Sequence, residues 1–449
     1  MKELIPKELY NLALKLESPL YVVGGICRDY LSGLVPARRD WDICAAIGAE
    51  ALKSAAVEAG FTVTAVYANT GTVRLSAGGE DYEYTCFRTD RYTRGVHSPE
   101  EVYFTEDINL DARRRDFKCN AVYYDIRADK FVDPLGGTED IKNKIVNTVV
   151  DANKVFGEDG LRLMRLARIS AQIGFTPSEE CIDGAAANSH LIDDIAVERV
   201  WTELSAILNA DNKYGISGGQ FEGLRLLHRI GVLKRILPEL ALGDGMEQNE
   251  YHKYDVLGHS LRCVYYAPPH IRFAALLHDI GKPYCKINTG KFHRHEEEGE
   301  RIAEEVCARL RVPKKLTERT CALVRWHMYD LLGDTSEKKL KKFLVTHIDI
   351  LDDLLALKQA DFSACKDDTS VAPCVVRWSA VFDDMKKDGV PLSVKELAVR
   401  GDELIKEGVP PALTGKTLFY LLKECAAGNI QNDRVKLLKQ AVCFIKNLD

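Results

Sequence analysis

Two aspartates one residue apart stand near the N-terminus, in the stretch "LYVVGGICRDYLSGLVPARRDWDI" from Leu20 to Ile43. Side chains alternate between the two faces of a strand, so Asp40 and Asp42 are expected on the same face. Two carboxylates on one face offer the hard oxygen ligands that Mg²⁺ prefers. Glu83, on the alternating run "EDYEYTCF", is the candidate for a third ligand from a neighbouring strand. The alternative for an isolated D-x-D is a turn acid beside a surface acid.

A glycine pair precedes these aspartates at a predicted junction between a strand and a helix. Gly24 and Gly25 lack Cβ atoms, so the backbone N–H groups there can approach a phosphate closely. Arg28 follows one turn into the predicted helix and is a candidate to reach the same phosphate. A glycine pair alone is a weak signal, but together with the two aspartates it indicates phosphoryl or nucleotidyl transfer.

Composition limits the class of protein. The chain has 449 residues, 46% hydrophobic and 29% charged, which predicts several packed domains. No apolar run reaches the roughly 18 residues that a membrane span needs. The thirteen cysteines form no C-x-x-C pair, as is typical of reduced thiols in a cytoplasmic protein. A net charge of -6 does not itself suggest nucleic-acid binding, although a local basic groove remains compatible with it. The sequence predicts no membrane partner and leaves the oligomeric state open.

The pattern along the chain changes near residue 150. Residues 20–150 read as mixed α/β, with strand candidates "LYVVG", "WDICAAI", "FTVTAVY", "GTVRLSA" and "EDYEYTCF" and a hairpin from "CNAVYYDI" and "KFVDPLGG". Helical spacing dominates afterwards, with plausible boundaries at "YGISGGQ" and "LGDGMEQNEYHK". These patterns predict an α/β N-terminal domain followed by all-α regions. The segments proposed are 1–150, 151–245, 246–333 and 334–449.

These motifs, in their order, resemble a known family. "GGICRDYLSGLVPARRDWDI" resembles the G-G-x-x-R-D-x-L-x-G…D-x-D signature of class II tRNA nucleotidyltransferases (CCA-adding enzymes) and bacterial poly(A) polymerases. "DARRRDFKCNAVYYD", "DPLGGTEDI", "FGEDGLRLMRLARISAQIGF", "ERVWTEL" and "LAVRGDELIKEGVPPALTGKTLFYLL" resemble later family segments, and together they cover most of the chain. Three positions depart from the usual pattern: Lys118 stands in place of Thr, Cys119 at an aliphatic place, and Gly160 where many relatives carry proline.

The resemblance implies a fold, a reaction and several site residues. It implies a small mixed nucleotidyltransferase sheet with helices, then helical neck, HD and tail regions. The reaction is addition of C, C and A to the tRNA 3′ end from CTP and ATP, with Mg²⁺ at the aspartates. Arg114, Arg115 and Asp116 are implied to hold the sugar and phosphates, Asn120 to support them, and Arg165 to reach the nucleotide. Residues 91–107, polar and irregular, match the family's mobile loop, which we expect to act in switching from C to A.

Asp159 and Arg162 are the candidates for nucleotide selection. Three residues apart in a predicted helix, they are expected one turn from each other on the same side. A carboxylate accepts from the amino group of cytosine or adenine, and a guanidinium donates to the adjacent acceptor. Uracil and guanine place a carbonyl oxygen where the amino group would be, so the pair would reject them. The alternative is an ordinary i,i+3 ion pair, worth about 0.2–0.5 kcal/mol. The family's templating residues align with these two positions.

Histidines and aspartates in the middle of the chain form a second candidate site. Their order, H…HD…H…H…D, resembles the HD superfamily of metal-dependent phosphohydrolases, and Lys282 after "HDIG" also fits. Imidazole and carboxylate ligands gathered from several helices suit a divalent metal whose identity the sequence does not specify. The site is either competent for phosphate-ester hydrolysis or a structural relic. The predicted ligands are His259, His278, Asp279, His295, His327 and Asp361.

Three readings of the function follow. The leading one is a CCA-adding tRNA nucleotidyltransferase with a fused HD domain. The nearest alternative is an enzyme of the same fold that adds only A, either a poly(A) polymerase or the A-adding half of a split system. The third is an HD phosphohydrolase whose N-terminal domain only binds RNA or nucleotide. The lysine runs "VPKKLTER" and "SEKKLKKFL" are either solvated helix faces or contacts to tRNA phosphates, and the tail is predicted to bind RNA.

Overall fold

Two compact units make up the fold. A computed structural model describes residues 1–36, 39–91 and 100–447. One unit contains residues 1–241, so the predicted head and most of the predicted neck lie in the same unit. The second begins at Leu242, the first residue of the turn "LGDGMEQNEYHK" that the sequence marked as a boundary, and contains the predicted HD ligands and the tail. Within the described ranges, no helix is long and apolar enough to cross a membrane.

The strands of the described residues all lie in the first unit. The described strands are β1 (Tyr21–Val23), β2 (Trp41–Ala45), β3 (Thr62–Tyr67), β4 (Thr72–Ala77), β5 (Glu80–Cys86), β6 (Arg88–Arg91), β7 (Glu101–Phe104), β8 (Tyr123–Asp125), β9 (Lys130–Val132), β10 (Ile145–Val146) and β11 (Thr176–Pro177). Seven of them form one mixed sheet in the order β3-β4-β5-β2-β1-β8-β9, in which β2 and β5 are parallel and the other neighbours antiparallel. The expected hairpin is β8–β9.

Helices complete the first unit. They are α1 (Lys7–Lys15), α2 (Gly25–Ser32), α3 (Ala49–Glu58), α4 (Ile108–Arg113), α5 (Gly137–Asn143), α6 (Ala152–Glu158), α7 (Leu161–Ile173), α8 (Glu179–Ala187), α9 (Val197–Leu208), α10 (Ala210–Tyr214), α11 (Gly219–Arg229), α12 (Leu233–Ile236) and α13 (Pro238–Ala241). Together with the sheet they confirm the predicted α/β N-terminal region followed by helices.

The second unit is helical throughout its described part. Its helices are α14 (Val256–Tyr266), α15 (Arg272–Leu277), α16 (Gly281–Thr289), α17 (His295–Arg309), α18 (Lys314–Trp326), α19 (Glu337–Thr346), α20 (Leu351–Lys366), α21 (Pro373–Lys387), α22 (Gly401–Lys406), α23 (Thr414–Ala426) and α24 (Arg434–Lys446). α20 packs against α14 and α15, so the helix that carries Asp361 belongs to the histidine bundle although it lies beyond the segment 246–333.

Strand register positions the acidic residues. Asp42 on β2 pairs with Val23 on antiparallel β1 and with Glu83 on parallel β5. Asp42 and Glu83 are therefore cross-strand neighbours, which the alternating pattern alone could not establish. A buried cluster below this edge, which includes Cys44 and Tyr123, joins the sheet to α4 and α6. The same core thus fixes the strand that carries the aspartates and the helices that flank the arginine-rich segment.

Candidate functional site

One recess in the first unit gathers nearly all of the residues that the sequence selected for nucleotide transfer. Its volume is about 390 Å³. Glu83 is the one predicted residue that does not line it; it lines an adjoining recess with Asp40 and Asp42. The predicted residues that line the main recess are Gly24, Gly25, Arg28, Asp40, Asp42, Arg114, Arg115, Asp116, Asn120, Asp159, Arg162 and Arg165.

The two aspartates sit at the start of β2. Asp42 lies within the strand and Asp40 immediately precedes it, and both side chains remain open to solvent on one side. Although the Asp42 carboxylate is accessible to solvent, the protein atoms packed around it remove part of its hydration and raise its pKa to about 6. The nearby Glu83 and Asp40 carboxylates also raise this pKa, and Arg115 opposes them. These neighbouring negative charges repel one another, and a divalent cation would relieve the repulsion. The carboxylates would supply its oxygen ligands.

Glu83 has a competing partner. Its Oε2 lies 3.4 Å from Nε of Arg74 on β4, and both side chains are about half exposed. An ion pair with this exposure is weak. The position of Glu83 beside Asp42 is compatible with a third cation ligand, and that role stays a prediction.

Position 24 requires glycine for two reasons, its backbone conformation and the close approach of the Asp42 side chain. Its φ of 82° and ψ of -144° are populated almost only by glycine. A Cβ atom at this position would lie 2.8 Å from Oδ2 of Asp42. The glycine therefore lets the β1–α2 junction pass directly beside the carboxylate.

A buried carboxylate that the sequence analysis did not select holds two of the arginines. Asp111, on α4, is fully buried and accepts from Nε of Arg114 at 2.7 Å and from Nη2 of Arg115 at 3.0 Å. The Tyr123 hydroxyl also donates to it at 2.7 Å. Burial acts to raise the pKa of Asp111, but Arg115 and Arg114 outweigh it and hold the pKa at about 2. Spacings of three and four residues within "DARRRD" were the available signal.

Asp116 and Asn120 connect the remaining predicted arginines. Asp116 accepts from Nε of Arg165 at 2.8 Å and from the Asn120 amide at 3.2 Å. The Asn120 oxygen in turn accepts from Nη1 of Arg28 at 2.7 Å. Burial acts to raise the pKa of Asp116, but Arg165 and these hydrogen bonds hold it well below its ordinary value. Arg28 is itself paired with Asp29 at 2.6 Å. These contacts fix the guanidinium groups before any ligand arrives.

The expectation that Asp159 and Arg162 share a helix was wrong. α6 ends at Glu158, Asp159 is extended with φ -147° and ψ 108°, and α7 begins at Leu161. The break lies at Gly160, whose missing Cβ atom would meet the Leu191 carbonyl oxygen at 2.3 Å. Asp159 and Arg162 nevertheless line the same recess, now at the start of a helix rather than along one.

Arg162 and Asp159 are both anchored by the chain around this break. Oδ1 of Asp159 accepts the N–H of Leu161 at 2.9 Å. Arg162 donates to Glu158 at 3.0 Å and to the backbone carbonyl of Arg114 at 2.8 Å. Arg162 does form an ion pair, with Glu158 four residues earlier at 3.0 Å.

Helices α7 and α10 supply residues that sequence reasoning missed. Arg168 and Gln172 line the recess from α7, where Arg168 pairs with Glu203 at 2.6 Å. Lys213 on α10 places Nζ 3.6 Å from Oδ2 of Asp40. The hydroxyl of the adjacent Tyr214 donates to Asp29 at 2.6 Å, which holds α10 against α2. No local pattern in the sequence links α10 to the aspartates.

Only part of the predicted mobile loop, residues 91–107, lies within the described residues. Residues 92–99 lie outside the described ranges. The expectation of an irregular segment over 91–107 was wrong for 101–104, which form β7 paired antiparallel with β6. Val102, Tyr103 and Phe104 are β-branched or aromatic residues, which was the missed signal for a strand.

The second unit brings all six predicted HD ligands together. Each is buried or nearly so, and they come from α14, α17 and α20 and from the ends of α15 and α18. Nε2 of His259 lies 3.0 Å from Oδ1 of Asp361, and Nε2 of His295 lies 3.2 Å from Oδ1 of Asp279. Lys282 Nζ lies 2.7 Å from Oδ2 of Asp279.

Three of these histidines are oriented in the same way. Nδ1 of His278, His295 and His327 each bonds to the backbone carbonyl three residues earlier, at 2.7–2.9 Å. This fixes Nε2 as the nitrogen available to a metal. Burial lowers the pKa of His327 to about 4, so this ring is neutral and fit to be a ligand.

Two overlapping ligand groups share Asp279. The first group is His259, His278 and Asp279, and the second is Asp279, His295 and His327; within each, the ligand atoms lie within 4.8 Å of one another. These imidazole and carboxylate donors would suit divalent cations, and Asp279 belongs to both groups.

Known protein families match the chain in three separate segments. Residues 20–147 match the family "Poly A polymerase head domain", residues 174–242 match "Probable RNA and SrmB- binding site of polymerase A", and residues 256–354 match "HD domain". The fold resembles that of the Bacillus stearothermophilus CCA-adding enzyme solved in complex with CTP, with a TM-score of 0.66, 22% identity and 98% of each chain covered.

Curated relatives are similar over most of the chain. An A-adding tRNA nucleotidyltransferase of Deinococcus radiodurans is 29% identical, covering 89% of this chain and 86% of the relative. A CC-adding tRNA nucleotidyltransferase of Thermus thermophilus is 29% identical, covering 90% and 85%. A multifunctional CCA protein of Neisseria gonorrhoeae is 32% identical, covering 69% and 73%.

Substituting Gly24→Ala should abolish most nucleotide incorporation. The added Cβ both strains the backbone, at a cost of about 1–3 kcal/mol, and displaces the Asp42 carboxylate. We expect at least about a tenfold loss of incorporation rate. Gly48→Ala is the matched control, because Gly48 has a φ of -62° and open space around its Cβ position. Equal rates for the two variants would contradict the assigned role of Gly24.

Asp111→Asn should destabilise the protein in a pH-dependent way. The folded pKa of about 2 lies below an unfolded value of about 3.9, so the charged carboxylate contributes about 2–3 kcal/mol to the free energy of unfolding at neutral pH. This contribution is complete above the unfolded pKa and is lost as pH falls through the folded pKa. Urea unfolding of both proteins should show a difference that is constant at higher pH and shrinks below about pH 4. A difference independent of pH would contradict this.

The family assignment follows from these similarities and agrees with the geometry of both units. A relative with 32% identity is covered over 73% of its length, and the head-domain match spans the sheet that carries the aspartates. Relatives named for adding A, CC or CCA all match this chain. The chain belongs to the tRNA nucleotidyltransferase family and carries an HD domain.

Proposed function

We propose that the protein adds C, C and A in order to tRNA 3′ ends from CTP and ATP, without a nucleic-acid template and with Mg²⁺ at Asp40 and Asp42. The observation that carries the proposal is the single recess in which the two aspartates, the anchored arginines and the Asp159–Arg162 pair meet. When bound, Mg²⁺ would lower the pKa of the attacking 3′-hydroxyl and stabilise the leaving pyrophosphate.

Residues of this chain would position the triphosphate. Gly24 and Gly25 line the recess, so the β1–α2 junction could approach the triphosphate, and the backbone N–H groups at the start of α2 could donate to it. Arg114 and Arg115, held by Asp111, present guanidinium groups that cannot turn away without breaking buried bonds. Pre-oriented donors of this kind lose little entropy when they bind phosphate.

Base selection would fall to Asp159 and Arg162. The Leu161 N–H fixes the Asp159 carboxylate, and the Glu158 and Arg114 contacts fix the Arg162 guanidinium. Acceptor and donor then face a base edge with an amino group beside an acceptor, as cytosine and adenine have. A carbonyl oxygen in the amino position would leave Asp159 facing an acceptor, which disfavours uracil and guanine.

The decisive experiment uses three tRNA transcripts, ending at the discriminator base, after one C, and after CC. Each is incubated with CTP alone, ATP alone or both, with Mg²⁺. Ordered addition of C, C and A that then stops supports the proposal. A added only to the CC end, or long A tails, supports the A-adding alternative, and addition of only two C residues supports a CC-adding enzyme.

Asp42→Asn should lower incorporation on every transcript by about 1000-fold or more, because a lost cation ligand removes several kcal/mol of transition-state stabilisation. Asp183→Asn is the matched control, since Asp183 is an exposed acid on α8 of the same unit. Incorporation retained by Asp42→Asn would exclude the recess as the catalytic site and favour an N-terminal domain that only binds nucleotide or RNA.

We also propose that the HD domain hydrolyses phosphate esters at RNA ends, such as 2′,3′-cyclic phosphates. The observation that favours it is the pair of ligand groups sharing Asp279. Two cations held there would activate water and stabilise the phosphate oxygens. The chain's own contribution is a set of imidazoles with fixed tautomers and a carboxylate held by Lys282.

An RNA with a 2′,3′-cyclic phosphate end tests this second activity. Hydrolysis is measured with Mg²⁺, Mn²⁺ or Ni²⁺ after the protein has been stripped of metal by EDTA. Asp279→Asn should reduce the rate by about 100-fold or more, because Asp279 belongs to both ligand groups. Asp352→Asn, an exposed acid on α20, should not reduce it. Hydrolysis unchanged in Asp279→Asn, or absent with all three cations, would overturn the proposal for this substrate.

A further inference from the structure

A second recess adjoins the nucleotide recess and shares its two aspartates. Its volume is about 500 Å³, which is in the range of sites that hold a nucleotide-sized ligand. Asp40 and Asp42 line both recesses, whereas Glu83 lines only the second. The aspartates therefore lie at the boundary between the recess that would hold the triphosphate and one that the triphosphate does not use.

The proposed nucleotidyl transfer needs two substrates at these carboxylates. The RNA 3′-hydroxyl and the leaving pyrophosphate lie on opposite sides of the α-phosphate in an in-line displacement. The anchored arginines of the first recess would hold the triphosphate, so the RNA end approaches the aspartates from another side. The second recess provides that side, and this inference rests on the proposed function.

The second recess is acidic, which by itself disfavours an RNA strand. Four carboxylates line it, those of Asp40, Asp42, Asp81 and Glu83. A phosphate brought among them is repelled unless cations compensate the charge. Among the described residues that line this recess, Arg74 is the one basic side chain. Within that lining, compensation by the chain itself therefore falls to Arg74.

Strand pairing places Arg74 in a row with two of these acids. Arg74 on β4 is directly opposite Glu83 on antiparallel β5, and Glu83 is opposite Asp42 on parallel β2. Directly opposite residues share a face of the sheet, so the three side chains stand side by side. Because neighbouring strands are about 4.8 Å apart, the backbones at positions 74 and 42 are about 10 Å apart. A long side chain at position 74 can therefore meet the RNA strand behind a 3′-hydroxyl held at Asp42.

The Arg74 guanidinium is held far more weakly than those of the nucleotide recess. Arg114 and Arg115 donate to the buried Asp111 at 2.7 and 3.0 Å. Arg74 has one ion pair, from Nε to Oε2 of Glu83 at 3.4 Å, and its side chain is 58% exposed. Within the described part of the chain, neither of its Nη groups has a hydrogen-bond acceptor. The guanidinium is therefore free to turn toward a phosphate, which it can bind through two parallel hydrogen bonds.

An exposed aromatic ring stands next to the same guanidinium. Tyr67 on β3 is about half exposed, and the guanidinium carbon of Arg74 lies 6.0 Å from its ring centre. The Thr64 hydroxyl donates to the Arg74 carbonyl at 3.2 Å, which holds the backbone of β4 beside β3. Single-stranded RNA is bound by basic side chains that take its phosphates and by aromatic rings on which its bases stack. Arg74 and Tyr67 supply both kinds of contact.

We propose that Arg74 binds a backbone phosphate of the RNA 3′ end in the second recess and thereby releases Glu83 to the cation. Without RNA, the ion pair neutralises Glu83. When the strand arrives, the guanidinium moves its donors from the carboxylate to phosphate oxygens, an exchange that is easy because a half-exposed ion pair is weak. Glu83 then stands free beside Asp42. The cation thus gains its third carboxylate only when the RNA is in place.

Steady-state incorporation on a tRNA transcript tests the phosphate contact. Arg74→Gln should raise the KM for tRNA at least about tenfold, as loss of a hydrogen-bonded charge pair implies. The KM for the nucleotide should stay within about twofold, because Arg74 does not line the nucleotide recess. Arg74→Lys keeps the charge without the planar donors and should recover part of the loss. Lys53→Gln is the matched control, since Lys53 is an exposed cation paired with Glu50 at 3.3 Å and lines neither recess.

A modified RNA identifies the phosphate. Transcripts carry one uncharged methylphosphonate, either at the linkage on the 5′ side of the terminal nucleotide or at the linkage before it. At one of these positions the modification should weaken wild-type binding about tenfold and Arg74→Gln binding less than about twofold, because the contact is already lost in the variant. Thermal unfolding of each variant verifies that it is folded.

Equilibrium binding of the transcript without nucleotide separates this inference from the proposed function. Arg74→Gln should reduce the slope of log affinity against log salt by about 0.7–1, the value of one phosphate contact. A wild-type protein that shows this difference but incorporates nothing would contradict the proposed function and leave the phosphate contact standing.

Four results would overturn the role of Arg74. They are an unchanged KM for tRNA in Arg74→Gln, an equal rise in Lys53→Gln, equal methylphosphonate effects in wild type and Arg74→Gln at both linkages, and an unchanged salt slope. A change confined to kcat and to the Mg²⁺ requirement would instead show that Arg74 only holds Glu83, and would equally exclude the phosphate contact.

Discussion

The recess of the first unit depends on ion pairs between its arginines and the carboxylates that hold them in place. Asp111 holds Arg114 and Arg115, Asp116 holds Arg165, and other acids hold the remaining guanidiniums of the recess. Concentrated positive charge would otherwise repel itself and move toward solvent, and each guanidinium would lose its direction. Pairing fixes the direction while leaving donors on the side that faces the recess. The arrangement costs desolvation, which the buried acids offset because they remain charged.

The two units offer different ligand chemistry to a metal ion. Near β2, exposed carboxylates present oxygen atoms and the neighbouring residues provide fixed cations. In the HD bundle, buried imidazoles with fixed tautomers surround Asp279, and the surrounding helices exclude most water. Oxygen ligands open to solvent suit a cation that arrives with a nucleotide, whereas enclosed imidazoles suit cations that stay bound.

Much of the fold could be predicted from sequence, because local patterns specify it. Short strand-like runs, one of them alternating, predicted the strands that became β1 to β5, and turn residues predicted the β8–β9 hairpin. The histidine order selected the residues that converge in the second unit. The ligand roles themselves stay predictions. Prediction failed where contacts between residues distant in sequence determine the local structure. The break after Glu158 depends on the Leu191 carbonyl, and Lys213 reaches Asp40 only because Tyr214 docks α10 on α2.

Gly160 has a consequence for how this enzyme can diverge from its relatives. The Leu191 carbonyl fills the space that any side chain at position 160 would need. A proline at position 160 would therefore require the turn around Leu191 to lie farther away. In a chain with glycine at position 160, a turn in that more distant position would leave a cavity. Positions 160 and 189–194 are thus expected to change together, so a single substitution borrowed from a proline-bearing relative would damage the junction between α6 and α7. Asp159 and Arg162, which line the recess, are therefore structurally tied to a turn that does not line it.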